Sequence, residues 1–280
     1  MTNRVLLSVS VFAAVAATAI PVSAAAQDQD VPRTAWGAPD LGGVWDFRTL
    51  TPLQRPRALG DQAVYTAEEV ADFEARRNRS IAGRDDREPA DTVGNYNQFW
   101  FDPGNKVSET NQTSLVVDPP NGRVPPLTTA ADAKRAAQRE AREGVDRHAP
   151  TYGGFVEDLG SGMFAVRCIL GFNSGPPFVP SLYNNNVQII HNEGHAVIIT
   201  EMIHDTRIVP LGDRPPLDEA IGLWSGDPRG YWDGDTLVVE SRNFNGLTQS
   251  FSAFGTSKDK VLTERFSRIG PYTVNYEWTI

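Results

Sequence analysis

The chain has a single cysteine, Cys168, among its 280 residues. A disulfide framework within the chain is therefore excluded, and an odd thiol in an exported chain is either buried and inert or paired elsewhere. Blocks of lysine and arginine are lacking too. The formal charge is −9, and phosphate binding needs clustered cations. Nucleic acid is excluded as a partner class, and so is adhesion to anionic lipid. Neither a Gly-x-Ser-x-Gly elbow nor a Walker or dinucleotide glycine pattern is present, so no nucleophile elbow and no cofactor are expected. No repeat of fixed period is visible. After the first 21 residues no stretch is apolar enough to span a bilayer, so no stable membrane insertion is expected once the leader is removed.

The leader itself is clear. Arg4 supplies a positive start, "VLLSVSVFAAVAATAI" is an apolar core broken by Pro21, and Ala24, Ala25 and Ala26 form a small-residue cleavage site. Residues 1–26 read as a signal peptide, which places the mature protein in the periplasm or outside the cell. About 254 residues remain, enough for one sizeable domain over 27–280. Removing the +1 of Arg4 takes the net charge from −9 to −10.

The mature sequence is punctuated like a β protein. "PDLGG" turns into "VWDFRTL", a strand whose Gly43-Val44-Trp45 opening also occurs at the start of lipocalin barrels. Thr66 and Glu69 form a capping box ahead of a short helix. "QTSLVVDPPNGRVPPLT" predicts a strand, a Pro-Pro-Asn-Gly turn and a return. "TTAADAKRAAQREAREG" predicts a surface helix ended by Gly144. Residues 149–186 are rich in Gly, Pro and Asn, with a strand-like piece at "MFAVRCIL". From Asn186 the chain reads as six strands in successive hairpins, turning at Asn192-Glu193-Gly194, Asp233-Gly234 and Gly270-Pro271. The stretch "HAVIITEMIHDTRIV" is taken as one long central strand. The fold class is all-β: an antiparallel meander closed as a lipocalin-like barrel or stacked as a related sandwich, with two or three peripheral helices.

Several motifs resemble a family. "NYNQFWFDPGNKV", "TSLVVDPPNGRVPPLT", "YNNNVQI", "EMIHDTRIVPL" and "WSGDPRGYWDGDTLVVE" are similar, in this order, to a large family of uncharacterised bacterial exported proteins. Those proteins share a PDLxGxW…TLTPLxRP opening and a DPPxGRIPPLT hairpin. The resemblance covers nearly all of the mature chain and implies a β-rich fold and export; it carries no activity. Similar proteins continue past the "YEWT" strand into a segment with a Cys-His-Glu-Gly-Asn-like motif. The resemblance thus implies that this chain, ending at Ile280, is shortened, and that the missing segment holds the partner of Cys168.

The densest cluster of chemistry is "EMIHDTRIVPL", from Glu201 to Leu211. On a regular strand Glu201, Ile203, Asp205 and Arg207 share one face, and His204 points the other way unless a bulge intervenes. Two functions follow. As a ligand-binding strand, it places Arg207 beside Tyr183, Trp224 and Arg229 in a pocket for a small apolar or planar molecule, with Tyr231 and Trp232 nearby. As a catalytic strand, it uses His204 as proton carrier, Asp205 to orient it and Glu201 to assist in hydrolysis or elimination. Against both stands a half-exposed strand with its charges outward. Burial demands pairing, so Arg207 is expected to pair with Asp205 or Glu201. His191 and His195 flank a turn and read as a solvated pair; no metal site is expected. Composition leaves the oligomeric state open.

Overall fold

The computed structural model describes residues 31–83, 101–141, 143–144, 169–171, 173–246 and 257–280, omitting the Gln138 side chain. The expected leader and cleavage site, Cys168 and most of "MFAVRCIL" lie outside the described residues.

Among the described residues eight strands form two four-stranded antiparallel sheets. The first contains β1 (Gly43–Asp46), β2 (Asn186–His191), β3 (His195–Thr200) and β4 (Thr206–Pro210), in that order. The second contains β5 (Asp227–Asp233), β6 (Thr236–Arg242), β7 (Leu262–Gly270) and β8 (Thr273–Thr279), again in order. The fold is therefore all-β, and each sheet is a meander. Of the two expected closures, no barrel forms among the described residues. The β4–β5 connection carries Gly212, Pro215, Pro216, Gly222 and Gly226, and the two sheets are bridged there at Leu211 and Gly230. Gly230 permits that approach: a Cβ on it would meet Leu211 Cδ2 at 2.6 Å and Val209 Cγ1 at 2.8 Å.

The sheets share one core. Period-two alternation sends Val187, Ile189, Ala196, Ile198 and Val209 from the first sheet against Leu237, Val239 and Phe266 from the second. Leu41 and Phe178 fill the space between them. The opposite side of the first sheet remains apolar as well, with Val44, Ile190 and Ile208 exposed.

Among the described residues there are two α-helices. α1 (Ala67–Ala82) begins at the expected capping box: Thr66 Oγ1 accepts from the Glu69 amide at 3.2 Å, and Glu69 Oε2 accepts from the Thr66 amide at 2.8 Å. α2 (Thr129–Ala141) is capped by Thr128, whose Oγ1 accepts from the Ala131 amide at 3.2 Å. Among the described residues no helix is long and apolar enough to cross a membrane.

Three local expectations need correction. Among the described residues the stretch 112–128 joins no strand ladder and makes only an isolated bridge, Gln112 to Val64. The Leu115 and Val116 amides donate instead to the Pro52 and Leu53 carbonyls, at 2.9 and 3.0 Å, while Gly122 closes the turn onto Pro119. At the β5–β6 hairpin Asp233 pairs with Thr236, so the central residues are Gly234 and Asp235, and of these Gly234 takes the positive φ, 59°. Finally, "HAVIITEMIHDTRIV" is two strands. Chain direction reverses at Met202–His204, where Ile203 and His204 take φ of 54° and 58°. Two consecutive left-handed residues cannot extend a strand.

Candidate functional site

The β3–β4 turn is held from several directions. Thr200 Oγ1 donates to the Met202 and Asp205 carbonyls at 3.2 and 3.3 Å. Glu201 Oε2 accepts from the Asn186 amide at 3.2 Å and its Nδ2 at 2.8 Å. Met202 is buried against Gly171, where any Cβ would collide with it. These ties keep Ile203, a β-branched residue, in a backbone region costing on the order of 1–3 kcal/mol.

The expected acid–base residues diverge here. The His204 imidazole is exposed, and no hydrogen bond joins it to Asp205 or Glu201 among the described residues. Asp205 accepts from Ser225 Oγ at 3.0 Å, and Glu201 is engaged by Asn186.

Arg207 pairs with neither expected carboxylate. It reaches across the core to Glu264 on β7, Nη1 to Oε2 and Nη2 to Oε1, the latter at 3.0 Å. The side chains are 3 % and 0 % exposed. The Tyr276 hydroxyl donates to Glu264 Oε1 at 2.7 Å and accepts from the Phe178 amide at 3.1 Å. Burial alone lowers the pKa of Arg207, but the Glu264 charge and hydrogen bonds, aided by Tyr276 and Asp205, outweigh it and raise the value. Burial, then the Glu264 charge, pushes the Tyr276 phenol well up. Asp205 thus acts on Arg207 through space rather than as its ion-pair partner.

The other expected ligand residues are dispersed. Tyr183 packs edge-on to Phe101, with ring centroids 6.4 Å apart. Trp224 is partly exposed beside Ser225. Arg229 pairs with Asp227 and donates to the Pro228 and Pro215 carbonyls at 2.7 and 2.9 Å, clasping the β4–β5 connection.

A groove of about 410 Å³ opens elsewhere, on the outer side of β1 and β2. Trp36, Asp40, Gly42, Gly43, Gln188, Ile190 and His191 line it. His191 is buried at the side chain, and its Nε2 accepts from the Leu41 amide at 3.0 Å. That assignment leaves the ring proton on Nδ1, which is buried with no partner among the described residues. Asp40 Oδ1, 3.4 Å from Nε2, is used by the Gly42 amide at 2.8 Å. The Trp36 ring meets His191 edge-on at 5.6 Å and is 40 % exposed. A second groove of about 310 Å³ lies between α1 and residues 101–107, but its Arg48 is engaged by Asp46 and Asp102. His195, across the hairpin from His191, is exposed; among the described residues no three acidic, histidine or cysteine side chains gather as a metal set.

Sequence reasoning missed Trp36, His191 as a groove residue, Glu264 and Tyr276. The signal for Glu264 was present: in "LTERF" it shares a face with Leu262 and Phe266.

Comparison with protein-family models, with curated proteins and with solved structures gave no match to this chain.

Proposed function

We propose that this is an exported, periplasmic or secreted protein that binds a small apolar or planar ligand in the groove between Trp36 and the β1–β2 face. The signal-like leader and the motif resemblance support export. The binding reading rests on one observation: the partly exposed Trp36 indole stands over a groove lined by Gly42, Gly43, Gln188 and Ile190. The volume falls in the range of small-molecule sites, and the lining sets the Trp36 ring and Ile190 beside polar Thr34, Asp40 and Gln188. Gly42 and Gly43 keep side chains out of the groove.

A second reading, an acid–base hydrolase or lyase using His204, Asp205 and Glu201, is favoured by the strained Ile203–His204 turn alone, since such strain gathers at active sites.

The test uses 8-anilinonaphthalene-1-sulfonate, a planar apolar probe with an anionic acceptor. Trp36→Ala and Ile190→Glu each weaken its affinity by about tenfold or more, the loss of one good contact. Trp224→Ala leaves it unchanged. Equal affinity in wild type and both groove variants contradicts the proposal.

A further inference from the structure

The outer side of the first sheet is exposed, and the Trp36 groove lies at its β1–β2 end. Period-two alternation turns Ile190, Val197 and Ile208 outward, opposite to the core-facing Ile189, Ile198 and Val209. Register sets these three side by side: Ile190 pairs with Val197, and Val197 pairs with Ile208. They form one apolar row across β2, β3 and β4. Ile190 also lines the groove, so the row begins there and ends on β4, at the sheet edge. Ile190 is 51 % exposed and Ile208 61 %, and Val197 between them is half-buried.

The row is narrow. The neighbouring row on one side, Val44, Gln188, Ile199 and Thr206, alternates apolar and polar. On the other side lie the Asn192 turn and the exposed His195. Three aliphatic side chains, each partly covered, expose far less than the ~800 Å² per partner of a stable protein interface. A globular partner or a second copy of the chain is therefore a poor fit, whereas a single extended alkyl chain matches the width. From Ile190 to Ile208 is two strand spacings, roughly 10 Å. About eight carbons in zigzag cover that distance at ~1.5 Å per bond. The groove end is polar, with Thr34, Asp40 and Gln188. The Asp40 side chain is 43 % exposed there, and among the described residues no lysine or arginine lines the groove. That lining favours a hydroxyl head over a carboxylate one.

We infer that the ligand is a straight-chain aliphatic amphiphile with an uncharged hydroxyl head. The head sits in the Trp36 groove, and the chain lies along Ile190, Val197 and Ile208. This inference rests on the groove reading and narrows its ligand class from small apolar or planar molecules to linear ones. The hydroxyl donates to the Asp40 carboxylate, the Trp36 ring covers the first methylenes, and the rest of the chain is buried on one side against the row. Each added methylene then tightens binding until the chain passes Ile208. A rigid planar ligand fills the groove and leaves the row bare.

Hexan-1-ol and decan-1-ol are titrated separately into the ¹⁵N-labelled whole chain, and affinity and site are read from the amide shifts. Decanol binds about tenfold or more tighter, because its four further methylenes are each buried on one side. Hexanol shifts Gly42, Gly43, Gln188 and Ile190, and decanol shifts Val197 and Ile208 as well. Ile208→Thr keeps a β-branched side chain on the strand and cuts the decanol advantage to about threefold. Val197→Thr does the same from the middle of the row. Ile269→Thr, at a residue 58 % exposed on the other sheet, leaves the advantage at its wild-type value. A decanol advantage that survives both Ile208→Thr and Val197→Thr overturns the inference, and so do decanol shifts confined to the groove. Failure of both alcohols to bind overturns it too. If 8-anilinonaphthalene-1-sulfonate then still binds in a Trp36-dependent way, only the linear ligand class falls; if it does not, the groove reading falls with it.

Discussion

Arg207 on β4 grips both oxygens of Glu264 on β7, so the two sheets are joined through the core by one bidentate ion pair. Taking either partner away leaves a buried charge alone. Arg207→Ala therefore costs about 3–5 kcal/mol in urea denaturation. The Arg207→Met, Glu264→Met double variant costs less than the sum of its single changes, because neither charge is then stranded. A loss below about 1 kcal/mol for Arg207→Ala, as for an exposed pair, contradicts this account.

Lys260 gives stability a pH signature. Its pKa is about 8 in the folded chain and about 10.5 in the unfolded chain. Between those values the unfolded chain binds more protons, so stability rises with pH across that window. Below it the burial penalty is felt in full. Lys260→Met is thus more stable than wild type at pH 7, by at most on the order of 3 kcal/mol, and the advantage is gone by about pH 10.5. The Tyr276 phenol, raised by burial and by Glu264, acts oppositely as pH passes above about 10. Both chains carry it, so the difference between their denaturation curves isolates Lys260. A difference that does not vary with pH contradicts the assignment.

Ile203 sits at φ 54°, where a β-branched side chain is strained. Asparagine tolerates that region, and Ile203 is only half-buried. Ile203→Asn therefore raises stability by about 1 kcal/mol, read from the thermal midpoint. A comparable loss shows that Ile203 packing outweighs its backbone strain.

The β class was legible because alternation and hairpin punctuation are local. β2, β6, β7 and β8 fall where period-two runs meet Gly or Asn turns. The sandwich was harder to read, since the division between sheets depends on how β4 leaves for β5 across a Gly- and Pro-rich connection. The break inside "EMIHD" was hidden because Met, Ile and His are not turn residues. Tertiary contacts to Gly171 and Asn186, not local preference, hold that turn.

The site was less legible for a related reason. A carboxylate partner for Arg207 was expected within a few residues, yet Glu264 is distant in sequence, and only facing sheets bring it close. Reading "LTERF" for a charge on an apolar face would have flagged it. Trp36 precedes the first strand and shows no pattern of its own. It acquires meaning only when β2 is laid beside β1, placing Gln188, Ile190 and His191 next to it.

The groove is tested most directly by amide and indole NMR shifts on adding 8-anilinonaphthalene-1-sulfonate to the ¹⁵N-labelled chain. Shifts concentrated at the Trp36 indole, Gly42, Gly43, Gln188 and Ile190 are the predicted result. Shifts that spare these residues and gather at Trp224 and Arg229, or around His204, contradict it.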